Sequence, residues 1–243
     1  MACKDGRPSR SGGRIDGFCE PPFNGRIECA LAEFSREAGH ILLGRIAGVE
    51  AAMGILQRQA ASSCKDALGQ LSRSIEMLKG AATSAMWYGR AWQKPQFVRF
   101  DLADLTARLR RQYARRRFLW QLPRRLVIWG DPHLIERAVV ELFENARRFV
   151  PRRGGRIGVR MSRRGAGSHV VIEVCDNGPG VPAAMKRKVF RPYHSQDCGH
   201  FGLGLSIVRR VAAVHGGTAQ EVGRPGCGAR FRIVLPQRNG RTQ

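Results

Sequence analysis

Glu141 and Asn145 are a pair of residues whose types and spacing suggest chemistry. They lie four apart in "VVELFENARRF", so on a helix they share a face with Arg137 and Arg148. Carboxylate and carboxamide oxygens are ligands for Mg²⁺, and guanidinium groups bind phosphate. The group therefore suits a magnesium phosphate, although an exposed helix face with ordinary ion pairs has the same pattern.

A second group of candidate site residues follows an apolar segment. "HVVIEVC" runs directly into "DNGPGV", so Asp176 is the first polar residue at the carboxyl end of a predicted strand, where ligand sites gather. A buried aspartate there can accept a hydrogen bond from an exocyclic amine. Gly178 and Gly180 let the backbone approach a flat ring or turn sharply. A tight turn of the Asn-Gly type is the alternative interpretation.

Gly202 and Gly204 stand one residue apart at the start of an apolar run that is typical of a helix. Glycine in a helix costs about 1 kcal/mol relative to alanine, so bare backbone must be needed there. The free N–H groups at a helix start bind anions, and glycine removes the Cβ atoms that keep phosphate away. We predict that the two glycines give a triphosphate room to lie against the backbone.

The elements that must position these residues are mixed helices and strands. Asp131 followed by Pro132 predicts the start of the helix that carries Glu141 and Asn145. "GRIGVRM", "HVVIEVC" and "GARFRIVLP" predict strands, as does "RRLVIWG", and a further helix is expected over 101–117. The pattern predicts an α+β sandwich, with one sheet and helices on one face.

The first part of the chain predicts a pair of helices instead. Between residues 27 and 90, apolar residues recur at steps of three or four, with a break at Ser62 or Ser63. Two antiparallel amphipathic helices of this length cannot cover both apolar stripes alone, so a four-helix bundle made by two chains is expected. We therefore divide the chain into a disordered segment (1–26), a helical hairpin (27–92), a mixed domain (97–237) and a tail (238–243).

Composition restricts the partners and the compartment. A formal net charge of +23 favours anionic partners, but a solvated arginine-rich surface has the same charge. The sequence has no unbroken run of 18 apolar residues and no apolar leader, so we expect neither a membrane span nor a signal peptide, and a cytoplasmic protein. Seven cysteines without C-x-x-C spacing are expected to be reduced thiols.

The order of the three glycine- and acid-containing groups resembles the ATP-binding domain of sensor histidine kinases, gyrase-type topoisomerases and mismatch-repair ATPases. Over residues 97–237, "ELFENARRF" matches the N box, "DNGPGV" the first glycine box, "VFRPY" the phenylalanine box and "FGLGLSIVRRVAAVHGG" the second glycine box. The resemblance implies a Bergerat-type α/β sandwich that binds ATP under a short lid at about 191–201.

The resemblance also implies a role for each candidate residue. Asn145 would hold Mg²⁺, and Glu141 would polarise water or the metal, as the general base does in hydrolysing relatives. Arg148 would contact phosphate, and Asp176 would hold the adenine amino group. The first glycine pair would shape the purine pocket and the second pair the phosphate loop: Gly178 and Gly180, then Gly202 and Gly204.

The helical hairpin resembles the dimerisation and phosphoacceptor hairpin of the same kinases. "REAGHILLGRIAGVEAAM" aligns with the histidine box, which makes His40 the candidate phosphoacceptor. Three positions depart from the family pattern: Ile41 replaces the usual acidic residue, Gly44 the Thr or Asn used for phosphatase work, and Arg45 the usual proline. Glu37, one turn before His40, is the nearest alternative base.

The sequence thus predicts a homodimeric two-component histidine kinase. It would use Mg-ATP to phosphorylate His40 and pass the phosphate to a response regulator, with input from a sensory partner protein. One alternative is a degenerate ATP-binding phosphotransfer or regulatory protein, which the altered histidine box favours. Others are an anti-sigma-type protein-serine kinase and a nucleic-acid-binding ATPase, although only charge suggests the latter and nucleic acid is not the expected partner.

Overall fold

The structure, a computed structural model, describes residues 25–59, 64–113, 118–165, 168–194 and 202–237. Most of the predicted N-terminal segment (1–24), the predicted tail (238–243) and most of the predicted lid (195–201) lie outside the described residues. The last two residues of the segment predicted to be disordered, Gly25 and Arg26, are helical instead.

Two long helices form an antiparallel hairpin, α1 (Gly25–Gln59) and α2 (Lys65–Arg90). They approach most closely where glycine removes a side chain. A Cβ on Gly39 would lie 2.7 Å from the Ala82 carbonyl oxygen, and one on Gly89 would collide with the Ala32 carbonyl oxygen. These two glycines therefore allow the end of the hairpin near Gly25 and Arg90 to pack tightly.

The hairpin leaves much of its apolar surface uncovered, as its sequence pattern predicts. Phe34 is 70% exposed and Ile41 66% exposed. Most of the exposed large apolar side chains in the described ranges lie on these two helices: Leu31, Phe34, Ile41, Leu42, Val49, Ile55, Leu56, Leu71, Met77 and Leu78. The isolated chain therefore does not bury its helical stripes.

One helix in the described part of the chain, α1, is long and apolar enough to cross a membrane. An 18-residue window within Cys29–Arg58 has a mean hydropathy of 1.3. The expectation of no such segment is not confirmed, because it considered only unbroken apolar runs, whereas the Ile, Leu and Val residues of α1 make it apolar on average although polar residues interrupt them. Length and composition do not separate a membrane span from one helix of a packed hairpin, so this is weak evidence.

A five-stranded sheet forms the second part of the chain. Its strand order is β2 (Phe118–Gln121), β4 (Ile157–Arg164), β5 (His169–Asp176), β7 (Arg230–Pro236) and β6 (Thr218–Glu221). β2 runs parallel to β4, and the other pairs are antiparallel. A separate two-stranded ribbon joins β1 (Val98–Asp101) to β3 (Val127–Gly130).

Three helices cover one face of the sheet: α3 (Leu102–Gln112), α4 (Pro132–Phe149) and α5 (Gly204–Val214). Alternation in β7 places Phe231, Ile233 and Leu235 in the core, as predicted. The expected apolar face of α4 is also buried: Leu134, Ile135, Val139, Leu142, Phe143 and Ala146. The α+β sandwich expected from the sequence is confirmed.

Several elements differ from the sequence expectation. The helix expected over 101–117 ends at Gln112, where Tyr113 forms its C-cap. The strands β1, β2 and β6 were not expected, because each has only four residues and gives no clear alternation.

Asp131 positions α4 and joins it to the hairpin. Its Oδ1 accepts hydrogen bonds at 3.1 Å from the backbone N–H groups of His133 and Leu134, which caps the helix. Its Oδ2 accepts from the Arg90 guanidinium at 3.2 Å and from the Gln96 N–H at 2.9 Å. The start of α4 and the end of α2 therefore share one buried carboxylate.

Further contacts fix α2 against the sandwich. The Arg210 guanidinium lies 3.8 Å from the centroid of the Trp92 ring and donates to the Ala91 carbonyl oxygen at 3.2 Å. Tyr88 and Ala91 are buried in the same core cluster as α4 and α5. The hairpin is therefore docked on the mixed domain in this structure.

Candidate functional site

A cavity of about 860 Å³ lies between α4, the end of β5, the start of α5 and one face of α2. Most of the residues predicted from sequence line it: Glu141, Asn145, Arg148, Asp176, Gly180, Gly202 and Gly204. Two predicted site residues, Gly178 and His40, are not among the described residues that line the cavity. Local folding and sheet topology thus bring together residues that are up to 63 positions apart in the sequence.

Asp176 stands at the end of β5 with one oxygen engaged. Its Oδ1 accepts hydrogen bonds from the N–H of Gly178 at 2.9 Å and the N–H of Ala229 at 3.1 Å. Within the described part of the chain, no donor contacts Oδ2. Burial raises the pKa of the Asp176 carboxyl, although the two N–H donors oppose that shift. This side chain can accept a hydrogen bond from a ligand amine in the cavity.

Glu141 occupies the centre of α4 as half of a buried ion pair. Its Oε1 accepts a hydrogen bond from the Arg137 guanidinium one turn earlier, and both side chains are largely buried. Burial raises the pKa of the Glu141 carboxyl, and the Arg137 charge works against that rise. A raised pKa makes the carboxylate a stronger proton acceptor, which suits a base.

Asn145 follows Glu141 by one turn and lines the same cavity, where it is partly buried. Arg148 lies at the cavity rim with its guanidinium 5.0 Å from the centroid of the Phe149 ring. The amide and carboxylate oxygens on one helix face, flanked by guanidinium groups, are a donor set that fits a magnesium ion carrying phosphate.

Each candidate glycine lies close to other atoms of the chain. A Cβ on Gly178 would lie 2.6 Å from the Phe149 carbonyl oxygen, and Gly180 has a φ of +73°. Gly202 has a φ of +65°, and a Cβ there would lie 2.7 Å from backbone atoms of His194. A Cβ on Gly204 would collide with the Glu141 carboxylate. Packing within the chain thus requires Gly202 even without a phosphate group, whereas at Gly204 only the end of the Glu141 side chain would have to move.

His40 lies outside this arrangement. Its side chain is exposed on α1, while its neighbour Gly39 packs against Ala82 and Met86 of α2. The structure therefore does not bring the candidate phosphoacceptor to the cavity of its own chain.

Residues of α2 line the cavity, and the sequence reasoning did not identify them. They are Glu76, Met77, Lys79, Gly80, Ala81, Thr83 and Ser84. The sequence contains no local signal for this role, because it arises only when α2 docks on the mixed domain.

Comparison with known proteins identifies the domain. Residues 130–239 match the family model of histidine kinase-, DNA gyrase B- and HSP90-like ATPases. The alginate biosynthesis sensor protein KinB of Pseudomonas aeruginosa is 29% identical over 229 residues, which is 86% of this chain and 38% of that protein. The chain spans less than half the length of the curated relatives that it matches.

Solved structures agree with this assignment. The mycobacterial sensor histidine kinase MprB shares 29% identity and a TM-score of 0.52, over 59% of this chain and 99% of that one. The histidine kinase ThkA, solved with the response regulator protein TrrA, shares the fold at 19% identity and a TM-score of 0.63, over 90% of this chain and 66% of that one. The chain is therefore similar to a histidine kinase core, in which a helical hairpin precedes an ATP-binding domain, and its residues 130–239 match the histidine kinase-, DNA gyrase B- and HSP90-like ATPase family.

Proposed function

We propose that the chain binds Mg-ATP in the cavity, phosphorylates His40 and passes the phosphate to an aspartate of a response regulator. The observation that carries this proposal is the meeting of Glu141, Asn145, Arg148 and Asp176 around one cavity. The complex of the similar kinase ThkA with the response regulator TrrA supports the choice of partner.

In this proposal Asp176 recognises adenine. Its Oδ1 is held by two N–H groups of the chain, so Oδ2 accepts from the adenine amino group. Gly178 and Gly180 shape the purine pocket in different ways: the Gly178 N–H holds the Asp176 carboxylate, and Gly180 lines the cavity.

Phosphate binding falls to α4 and the start of α5. Asn145 holds Mg²⁺, and the bound ion supplies charge neutralisation on the phosphate oxygens. Arg148 contacts phosphate from the cavity rim, and the first turn of α5, with Gly202 and Gly204, presents backbone N–H groups. Glu141 accepts a proton when its pairing with Arg137 opens.

His40 is the proposed acceptor, and its position sets a condition on transfer. Because His40 does not line the cavity of its own chain, either the docked domain must leave α2 or the domain of a second chain must reach it. The contacts that hold the docked arrangement are the Arg90–Asp131 ion pair and the Arg210–Trp92 stack.

A homodimer is part of the same proposal. The uncovered apolar side chains of α1 and α2 support a four-helix bundle built by residues 27–92 of two chains. Residues 97–237 then form the catalytic domain. ATP and response regulators are cytoplasmic reactants, so we place the reaction in the cytoplasm and expect input from a sensory partner protein.

One alternative has specific support. Ile41, Gly44 and Arg45 differ from the usual histidine box, and His40 is outside the cavity. These observations favour a regulatory protein that binds ATP without phosphorylating itself.

Incubation with γ-labelled ATP and Mg²⁺ tests the proposal. We expect label that is lost in acid, as phosphohistidine is, in the wild type and in the exposed control His169→Ala. His40→Gln and Asn145→Ala should lose it. If His40→Gln incorporates as much acid-labile label as the wild type, His40 is not the acceptor and the regulatory alternative is the better one.

A further inference from the structure

One face of α2 forms a wall of the cavity and presents hydroxyl groups to it. Thr83 and Ser84 both line the cavity, together with Gly80. Tyr88 and Ala91, which follow Ser84 by one and two turns, are buried in the core of the ATP-binding domain. Ser84 therefore belongs to the side of α2 that faces this domain.

The hydroxyl of Ser84 differs from other serine hydroxyls on the same helix. Ser72 Oγ donates to the Leu68 carbonyl oxygen at 2.9 Å, and Ser74 Oγ donates to the Gln70 carbonyl oxygen at 3.1 Å. Within the described ranges, Ser84 Oγ has no hydrogen-bond partner. Its lone pairs and proton are therefore available to a molecule in the cavity.

The turn of α2 that follows Ser84 contacts the ion pair that holds Glu141. Trp87, one turn after Ser84, has its ring centroid 5.8 Å from the Arg137 guanidinium, and Arg137 pairs with Glu141. One turn before Ser84, a Cβ on Gly80 would meet no atom within 4 Å, so the cavity is open at that point. Open space, the Ser84 hydroxyl and the Glu141 carboxylate thus border the same cavity.

We propose that Ser84 is a second phosphoacceptor, phosphorylated from the same bound ATP. This inference rests on the proposed nucleotide site. Ser84 Oγ forms a bond to the γ-phosphorus, the bond from that phosphorus to the β–γ bridging oxygen breaks, and ADP leaves with the electron pair. The hydroxyl proton passes to the Glu141 carboxylate. The product is a phosphoserine, which survives acid treatment.

Phosphopeptide mapping of the full chain is the first test. After incubation with γ-labelled ATP and Mg²⁺, we expect acid-stable label on the peptide that contains Ser84. Ser84→Ala should remove it, whereas Ser74→Ala, on the same helix but outside the cavity, should retain it. Acid-stable label that persists in Ser84→Ala, or that Thr83→Val removes instead, overturns the assignment.

A second test does not depend on turnover. Ser84→Cys is treated with a thiol-alkylating reagent in the presence and absence of Mg²⁺ and AMPPNP, and modification of that peptide is followed by mass spectrometry. With nucleotide at about ten times its Kd, we expect alkylation to slow about tenfold. Ser74→Cys should react at an unchanged rate.

Calorimetry on the wild type separates failure of this inference from failure of the proposed function. If AMPPNP binds but neither protects Ser84→Cys nor leads to acid-stable label with ATP, Ser84 is not an acceptor and the nucleotide site still stands. If AMPPNP does not bind, the proposed function fails, and the inference falls with it.

Discussion

The imidazole of His215 accepts a hydrogen bond from the backbone N–H of Asp131 at 2.9 Å, and so joins the end of α5 to the start of α4. The other ring nitrogen lies 2.7 Å from the Val211 carbonyl oxygen, so the proton is on Nδ1 and the ring is neutral. The Phe97 ring stacks on it with centroids 4.9 Å apart. Since Asp131 also binds Arg90, both site helices and the hairpin meet at this point.

His215→Ala should therefore destabilise the whole domain. The change leaves the Asp131 N–H buried without a partner and creates a cavity beside Phe97, so we expect a loss of about 2 to 4 kcal/mol in the free energy of unfolding. Urea denaturation measures it. The exposed control His169→Ala should change stability by less than about 0.5 kcal/mol. If the two changes lower the free energy of unfolding equally, the hydrogen bond between Asp131 and His215 does not stabilise the domain.

Asp176→Asn should separate nucleotide recognition from folding. The amide oxygen still accepts from the N–H groups of Gly178 and Ala229, but the amide nitrogen presents a donor to the adenine amine. We expect the free energy of ATP binding to weaken by about 1–3 kcal/mol, roughly a 5- to 150-fold loss of affinity, with no change in the circular dichroism spectrum. Calorimetry with ATP provides the measurement, and unchanged affinity would exclude the adenine role.

Asp176→Asn should also change how the stability of the protein depends on pH. Burial raises the pKa of Asp176 above its ordinary value of 3.8, so the protonated form is favoured in the folded state. Its contribution to stability is present below that ordinary value and is lost as pH rises through the raised pKa. In nucleotide-free protein, Asp176→Asn should therefore gain stability relative to the wild type between pH 4 and pH 7. If the difference in unfolding free energy between the two proteins does not change with pH, the pKa of Asp176 is not raised.

The local parts of this fold and site could be predicted from sequence. Asp131 and Pro132 signal the start of α4, and the repeat of apolar residues along it fixes the face that carries Glu141 and Asn145. The role of α2 could not be predicted. Ser84 reaches the cavity because Arg90 pairs with Asp131, which is 41 residues away, and no local pattern records such a contact. The short strands β1, β2 and β6 could not be predicted for a similar reason, since their pairing depends on distant partners.

Substitution of the two helix-start glycines should have different effects. Gly202→Ala forces a non-glycine residue into a φ of +65° and against the His194 backbone, so a loss of at least about 1–2 kcal/mol in unfolding free energy is expected. Gly204 has a backbone conformation that alanine also adopts, and the added Cβ of Gly204→Ala would meet only the Glu141 side chain. It should leave stability nearly unchanged but displace Glu141 and weaken ATP binding. Urea denaturation and calorimetry together distinguish the two outcomes.

Ile41→Glu should accelerate phosphorylation of His40. A carboxylate next to the attacking imidazole can take its Nδ1 proton, and general-base help is worth about a hundred- to ten-thousand-fold. Ile41 is 66% exposed in the single chain, so the hairpin itself tolerates the change, and sedimentation should show that the variant is still a dimer before the rates are compared. The rate of acid-labile labelling is the readout. Ala51→Glu places the same charge on an exposed part of α1 three turns away and should not accelerate labelling; an equal rise there would mean that charge, not position, matters.

Phe34→Asp should prevent the proposed homodimer from forming. Phe34 is 70% exposed on α1, and a charge there would be buried without a partner in the bundle. Sedimentation at micromolar concentration should show a dimer for the wild type and a monomer for the variant. Leu119→Asp changes a residue that is 63% exposed on β2, outside the hairpin, and should stay dimeric. A monomeric wild type would rule out the bundle.

The close contact of Gly89 with Ala32 has a mechanical consequence. Gly89 lies between Tyr88 and Ala91, which are buried in the core of the mixed domain, so a rotation or sliding of α1 at Ala32 would push on the part of α2 that is anchored there. A shift by one residue is about 1.5 Å, which a close-packed interface cannot absorb. The distal part of α1 is compliant by comparison, because added Cβ atoms on Gly44, Gly48 and Gly54 would meet nothing within 4 Å. A displacement of α1 near residue 32 would thus act on the mixed domain without involving the end of the hairpin where α1 and α2 connect.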